Sequence, residues 1–325
     1  MILYISKNTD PTFNLALEEC FLRYYEDEVF MLWQNDNTIV IGKNQNTLAE
    51  INLDYVNDNG IRVVRRITGG GAVYHDMGNL NFTYISNCNG EWESDFSRFA
   101  TPVISALSKL GVRAELSGRN DIVAGGRKIS GNAQTVVGNR ILHHGTILFD
   151  VDVSVLSKAL TPDPDKIKSK GVKSVSSRVA NLSELLGEKI GAEVLCDVIS
   201  DEVRSMYETS EHMLSDMEVE RAEKLADEKY RTWDWNFGYS PKYSFKKKER
   251  FGGGTVEVLL NVSDGKIEGA KIFGDFFGVG EVSDIETALV GVRHCEEDIK
   301  EALSGFKLGD YFGKITDSDL IKVLL

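Results

Sequence analysis

Proline is scarce in this chain, 5 in 325 residues, which argues against long disordered linkers. Cysteine is equally scarce. Cys20, Cys88, Cys196 and Cys295 lie far apart and form no CxxC, which excludes a disulfide frame or a cysteine zinc site and fits free thiols in a reducing cytosol. No stretch approaches the ~20 apolar residues of a membrane span. The N-terminus MILYISKNTDPTFNLALEEC has no basic region followed by an apolar run, so no signal peptide is expected. Basic residues are outnumbered, 37 Lys and Arg against 50 Asp and Glu, for a formal charge of −13. That balance excludes general nucleic-acid binding but leaves room for a local basic patch facing an anionic ligand. GxxxxGK[ST] is absent and no GxGxxG follows a strand, so any nucleotide must sit on something other than a P-loop or a Rossmann turn.

What remains is an ordinary core-forming composition, 42% hydrophobic, long enough for about two domains at ~150 residues each. Asp10 and Pro11 open a helix whose apolar stripe Phe13, Leu17, Phe21 runs to about Tyr25. Strands are expected at Val29–Trp33, Thr38–Gly42, Ile61–Arg66, Ala72–Tyr74 and Asn79–Ser86, then a helix at Phe96–Leu110 ended by Gly111. Residues 112–153 read as strand-rich, with Ile141–Val153 the longest run. Asp163–Arg178 is polar and aperiodic, and reads as a mobile loop with a local charge of +4 from Asp165 onward. Helices are expected at Ser183–Leu186, Glu193–Tyr207 and Met217–Tyr230. From about Tyr243 the pattern becomes three strands, with Asp264-Gly265 as a hairpin turn, and capped helices at Ser283/Glu286 and Thr316/Asp319.

Three clusters carry candidate chemistry. In Arg65-Arg66-Ile67-Thr68-Gly69-Gly70-Gly71-Ala72-Val73-Tyr74-His75-Asp76, three glycines between strands suit a backbone that approaches a ligand closely. Their amides can form an anion cradle, with Arg66 supplying charge; a plain hairpin bend is the alternative. Around Asp121 and Lys128, an ammonium stands beside the tight Ser130-Gly131 backbone, suited to phosphate or carboxylate. Asp121 could hold Mg²⁺ or pin a basic side chain. His143 and His144 face opposite sides of a strand and so cannot easily share one metal; a histidine here can wall a cleft by hydrogen bonding, or equally be a satisfied core histidine.

Together, RRITGGGAVYHDMGNLNFT, GRNDIVAGGRKISGNA, HHGTILFDVD and KSVSSRVANL, followed by WDWNFGYSPKYSF, resemble the lipoate-protein ligase family, from FNLALEEC to the end of the chain. The resemblance implies an α+β fold. Residues 1–242 would form a biotin/lipoate ligase-like catalytic domain with a mixed sheet and flanking helices, and residues 243–325 a small α+β accessory domain. It implies that lipoate and Mg-ATP give lipoyl-adenylate and pyrophosphate, and that a lysine of a lipoyl domain then takes the acyl group. By resemblance, Arg66, Gly71, Ala72, Val73 and Tyr74 contact the nucleotide or adenylate. Lys128 touches both adenylate and acyl carbonyl, Gly70, Gly71 and His144 border the lipoate, and Asp121 orients or binds Mg²⁺, with no intrinsic metal. Strands near Val73 and Ile147 are expected to line the acyl slot. The implied cofactors and substrates are ATP, Mg²⁺ and (R)-lipoate. The implied partners are lipoyl domains of 2-oxo-acid dehydrogenase complexes or the glycine-cleavage H protein. A cytoplasmic monomer without nucleic acid or membrane is expected.

The nearest rival is an ATP-independent octanoyl or lipoyl transferase of the same fold. That chemistry needs a cysteine nucleophile soon after the HG-containing strand, and here none occurs before Cys196. A biotin ligase would carry a basic GRGRxGR-type loop where this chain has TGGGA. A non-catalytic lipoate-binding protein would be expected to lack Lys128 or Arg66.

Overall fold

The first apolar stripe forms helix α1, Pro11–Tyr24, with Pro11 in the first turn and the Asp10 carboxylate accepting the Thr12 N–H at 3.0 Å. The computed structural model describes residues 1–88, 96–118, 120–160, 178–237, 245–263 and 265–325. The readings of Arg119, residues 161–177 (including Lys166, Lys168, Lys170 and Lys173), residues 238–244 and Asp264 lie outside the described residues.

An eight-stranded mixed sheet is the frame of the first unit. Its strands are β1 (Ile2–Ile5), β2 (Val29–Trp33), β6 (Asn79–Asn87), β7 (Ala114–Ser117), β8 (Asp121–Ala124), β9 (Arg127–Val137), β10 (Arg140–Leu148) and β11 (Ser210–Glu211), in the order β11-β1-β2-β6-β10-β9-β8-β7. Residues alternate between its faces. On one face Leu80, Phe82 and Tyr84 of β6 pack with helices α2 (Ser97–Lys109) and α3 (Ala192–Met206) through Phe99, Val103, Leu195 and Ile199. On the other face Met31, Ile85 and Leu142 pack with Phe13, Leu17 and Phe21 of α1. A separate three-stranded sheet, β4 (Arg62–Arg65), β3 (Thr38–Ile41) and β5 (Val73–His75), has β3 in the middle and carries the glycine loop between its outer strands.

From Phe245 the chain builds a second apolar core. Strands β12 (Phe245–Phe251), β13 (Gly254–Ser263) and β14 (Lys266–Gly274) form an antiparallel sheet. Helices Val282–Leu289, Glu296–Leu303 and Asp317–Leu324 cover it with Ile285, Leu289, Ile299, Leu320 and Leu324. It meets the first unit through a Lys43–Glu281 ion pair at 2.9 Å and a Gly274 N–H donating to the Asn44 carbonyl at 2.7 Å.

Several expectations change. The Ser283/Glu286 capping box does not form, because that helix begins at Val282. Glu286 instead accepts the Ile272 N–H at 2.9 Å and pairs with Lys271 at 2.5 Å. The Thr316/Asp319 box does form. The run expected to Val153 ends at Leu148, where the Phe149 and Asp150 N–H groups turn to the Gly78 carbonyl, so β9 is the longest strand. The helix expected over Met217–Tyr230 is α4 (Asp216–Leu225) followed by one π-helical turn, Ala226–Tyr230. β1 and β11 are too short for a periodic signal, and were missed.

Candidate active site

Strand register lays a track across the sheet face that carries α1. Trp33 of β2 pairs with Asn81 of β6, and Asn81 with Thr146 of β10. The Gly131 N–H of β9 then donates to the Thr146 hydroxyl at 3.1 Å. Four strands at ~4.8 Å spacing make this track about 14 Å long. Ala133 and His144 form the next row, since they pair directly with each other. Leu15 of α1, with Val40, Arg66 and residues 70–73, forms the opposite walls of an open cleft whose free space, its mouth included, is about 610 Å³. Trp33 and His75 stand together at one end, ring centroids 6.3 Å apart. Lys128 belongs to the other end, where its Nζ lies 2.7 Å from the Cβ position of Gly131.

Lys128 sits at the start of β9, and its ammonium pairs with Asp121 of β8 at 2.7 Å. The carboxylate therefore pins the cation, the second of the two roles open to it. Asn120 and Asn132 clasp each other beside this pair. The Asn120 side chain donates to the Asn132 carbonyl at 2.7 Å, and the Asn132 side chain to the Asn120 carbonyl at 3.1 Å. Both asparagines line the cleft.

The glycine loop is held from beneath by Arg66. Its guanidinium donates to the Gly69 and Gly71 carbonyls at 2.6 and 2.9 Å, to the Val40 carbonyl at 3.1 Å and to the Thr68 hydroxyl at 2.9 Å. Burial pushes its pKa down to about 10, so it remains cationic at neutral pH. Arg66 thus first fastens the loop, and brings its charge to the cleft in doing so. Gly70 has φ +92°. A Cβ on Gly42 would lie 1.9 Å from the Gly70 carbonyl oxygen, whereas one on Gly71 meets nothing within 4 Å. Only glycine at 42 lets the loop pass, and Gly71 opens onto space.

A hydrogen-bond chain joins this loop to α1. Thr68 accepts from Arg66 at 2.9 Å and is hydrogen-bonded to His144 Nε2 at 2.8 Å. His144 Nδ1–H then donates to Glu18 Oε1 at 2.8 Å. The same oxygen accepts the Thr83 hydroxyl at 2.6 Å, and Thr83 in turn accepts the Trp33 indole N–H at 2.9 Å. Glu18 and Thr68 are fully buried. His143 faces the other side of the sheet, as expected. It stacks on Phe99 at 5.1 Å, and desolvation holds its pKa well below the usual histidine value.

Arg66, Gly70, Gly71, Ala72, Val73, Lys128 and His144 converge on the cleft. Tyr74 is turned away by strand alternation. Its ring packs with Ile39 and Ile41, and its hydroxyl donates to Asn37 at 3.1 Å, so any contact it makes with a ligand is through its main chain. The strands near Val73 and Ile147 line the cleft as expected, through Val73, Gly145 and Thr146, while the Ile147 side chain itself lies on the α2 face with Leu80 and Phe82, one residue out of phase with Thr146. Trp33, His75, Asn81, Asn120, Asn132 and Gly42 were missed as site residues. His75, Asn81, Asn120 and Asn132 stood inside the quoted motifs, whereas Trp33 and Gly42 lay outside them and only the tertiary fold brings them in. None of the four cysteines lines the cleft. Burial and neighbouring carboxylates push the Cys20 and Cys196 thiols up to about 11.

The chain is similar to known proteins along nearly its whole length. A family described as the lipoyl protein ligase A/B catalytic domain matches residues 10–204, and one described as the bacterial lipoate protein ligase C-terminus matches residues 240–324. Lipoate–protein ligase 1 of Staphylococcus aureus (strain Mu50) is 49% identical over 325 residues, covering 99% of both chains. P. falciparum LipL1, solved in complex with lipoate, superposes with a TM-score of 0.82 at 30% identity, covering 94% of each chain. A lipoate-protein ligase A bound with ATP gives 0.62 at 28% identity, covering 74% of this chain and 98% of the other.

Proposed function

Because the chain belongs to the lipoate-protein ligase family, we propose that its cleft joins lipoate to ATP as lipoyl-adenylate and then passes the lipoyl group to a lysine of a lipoyl domain. The observation that carries this reading is that Lys128 and the glycine loop line one cleft that also reaches Trp33. An acyl chain laid along the slot brings its carboxylate to Lys128. There the carboxylate oxygen attacks the α-phosphorus, and the bond to pyrophosphate breaks. Carboxylate and phosphate repel, and Lys128, held by Asp121, neutralises both while the amides of residues 70–73 receive the phosphoryl oxygens. Arg66 keeps those amides in place, and His144 walls the acyl slot. In the second half-reaction the neutral acceptor amine attacks the acyl carbon, the acyl–oxygen bond breaks with AMP taking the electron pair, the amine proton passes to the departing phosphate or to solvent, and Lys128 polarises the carbonyl.

Mg²⁺ fits here as an ion carried mainly by nucleotide phosphates, with Asp121, already paired with Lys128, as the side chain that would share in holding it. When bound it would neutralise phosphate charge. No protein nucleophile is needed, because the adenylate is itself an activated acyl donor. That favours the ligase over a cysteine transferase, whose nucleophile would have to be one of two thiols raised to about 11 or one of two others away from the cleft. We place the boundary between catalytic and accessory units at 242/243. The expected acceptors are acyltransferase subunits of 2-oxo-acid dehydrogenases and the glycine-cleavage H protein, met by a monomer. Among the described residues no helix is long and apolar enough to cross a membrane.

The test is mass spectrometry of a purified lipoyl domain incubated with the protein, lipoate, ATP and Mg²⁺, alongside pyrophosphate release. Lipoylation that needs ATP, and pyrophosphate release that needs both substrates, is the expected result. ATP-independent transfer would overturn the reading.

A further inference from the structure

The slot has an unusual far end. An apolar tail pocket needs no hydrogen-bond donors, yet two buried N–H groups that line the cleft here have no protein partner: His75 Nε2 and Asn81 Nδ2. Both side chains are almost fully buried, at 3% and 2% exposure. Leaving such donors unpaired is costly, so their persistence beside Trp33 points to a ligand acceptor.

The proton on His75 Nε2 follows from a relay anchored in the main chain. The Asn14 amide nitrogen donates to the Asn8 and Gln34 carbonyls at 2.8 and 2.9 Å, which fixes that side chain's orientation. Asn35 Oδ1 lies 3.1 Å from the same nitrogen and shares one of its two hydrogens, which turns the Asn35 nitrogen to His75 Nδ1, at 3.1 Å. Nδ1 is therefore the acceptor. Desolvation, with Arg66 nearby, pushes the His75 pKa down to about 3, and the neutral ring carries its proton on Nε2. The Asn79 side-chain N–H donates to Asn81 Oδ1 at 2.9 Å, and in that arrangement Asn81 Nδ2 is left to donate, although neither amide is fixed by the main chain as Asn14 is.

We infer that His75 and Asn81 are specificity-determining residues: their two N–H groups face the disulfide of the lipoyl ring and select it over a straight eight-carbon chain. The inference rests on the ligase reading above and names which acyl acid that site prefers. Sulfur is a weak acceptor, so the gain from pairing is modest. The discrimination comes from the rejected acid, because an alkyl tail in the same place would bury both donors against methylene groups.

Pyrophosphate release with lipoate and with octanoate, each in the presence of ATP, reads this as a ratio of kcat/KM values. Both acids are measured on one preparation, so any loss of folded protein cancels in the ratio. The unmodified protein should prefer lipoate by about tenfold or more. Asn81→Val and His75→Phe should each reduce the preference by about tenfold, chiefly because octanoate improves. His75→Gln, which restores a side-chain N–H, should recover part of it. Equal use of both acids by the unmodified protein, or a ratio unmoved in both Asn81→Val and His75→Phe, overturns the inference while the ligase reading stands. Pyrophosphate release with neither acid would overturn the ligase reading and this inference with it.

Discussion

A methyl group on Gly42 would sit 1.9 Å from the Gly70 carbonyl oxygen, 3.0 Å from its carbon and 3.3 Å from Arg66 Nη2. Ordinary contact begins near 3.4 Å, so Gly42→Ala must push the glycine loop by about 1.5 Å. Arg66 resists, because it is bonded to the loop at the Gly69 and Gly71 carbonyls. A misplacement of this size in the phosphate cradle is expected to lower kcat/KM for adenylate formation about 100-fold. The strain should cost about 1–3 kcal/mol, a fall of several degrees in Tm, leaving the protein folded at assay temperature. Gly71→Ala is the complement. Its Cβ meets nothing within 4 Å, so Tm should hold while the KM for ATP rises. The assay is pyrophosphate release at varied ATP, with circular dichroism melts on the same samples. Full activity in Gly42→Ala, or an unchanged KM for ATP in Gly71→Ala, would refute the placement of nucleotide phosphates on this loop.

Lys128→Ala should lower adenylate formation by roughly 10²–10³; its pair with Asp121 is a third exposed, so Tm should move little, and a near-normal rate would remove the assignment. A variant with all four cysteines replaced by serine or alanine should still lipoylate an acceptor with ATP consumption, read by mass spectrometry; lost transfer with intact adenylate formation would point to a cysteine intermediate. Stability should fall as pH drops from about 6.5 towards 4.5, because His75 and His143 are held neutral in the fold and take up protons once unfolded. Two such groups give a slope of up to about 2.7 kcal/mol per pH unit, and His75→Gln should roughly halve it in a series of denaturant melts.

Where the physics was local, the sequence alone was enough. The Asp10–Pro11 start of α1, the Thr316/Asp319 cap and the stop at Gly111 follow from which backbone groups a few neighbouring residues can satisfy. Strand alternation likewise separated His143 from His144, and the glycine run announced a backbone that must come close to something. The Ser283/Glu286 reading failed because a residue from another element, Ile272, competed for the same carboxylate. Strand partners come from segments as far apart as Ile2 and Ser210, and nothing local specifies their register. The register alone sets Trp33, Asn81, Thr146 and Gly131 in one row, turns Ile147 out of the slot and brings Asp121 onto Lys128. The two unpaired donors are the furthest from the sequence. Asn81 reads there as one polar residue in a strand, and His75 as the end of a motif. Only packing decides that neither N–H finds a protein partner, and through Asn14 and Asn35 it decides which histidine nitrogen carries the proton.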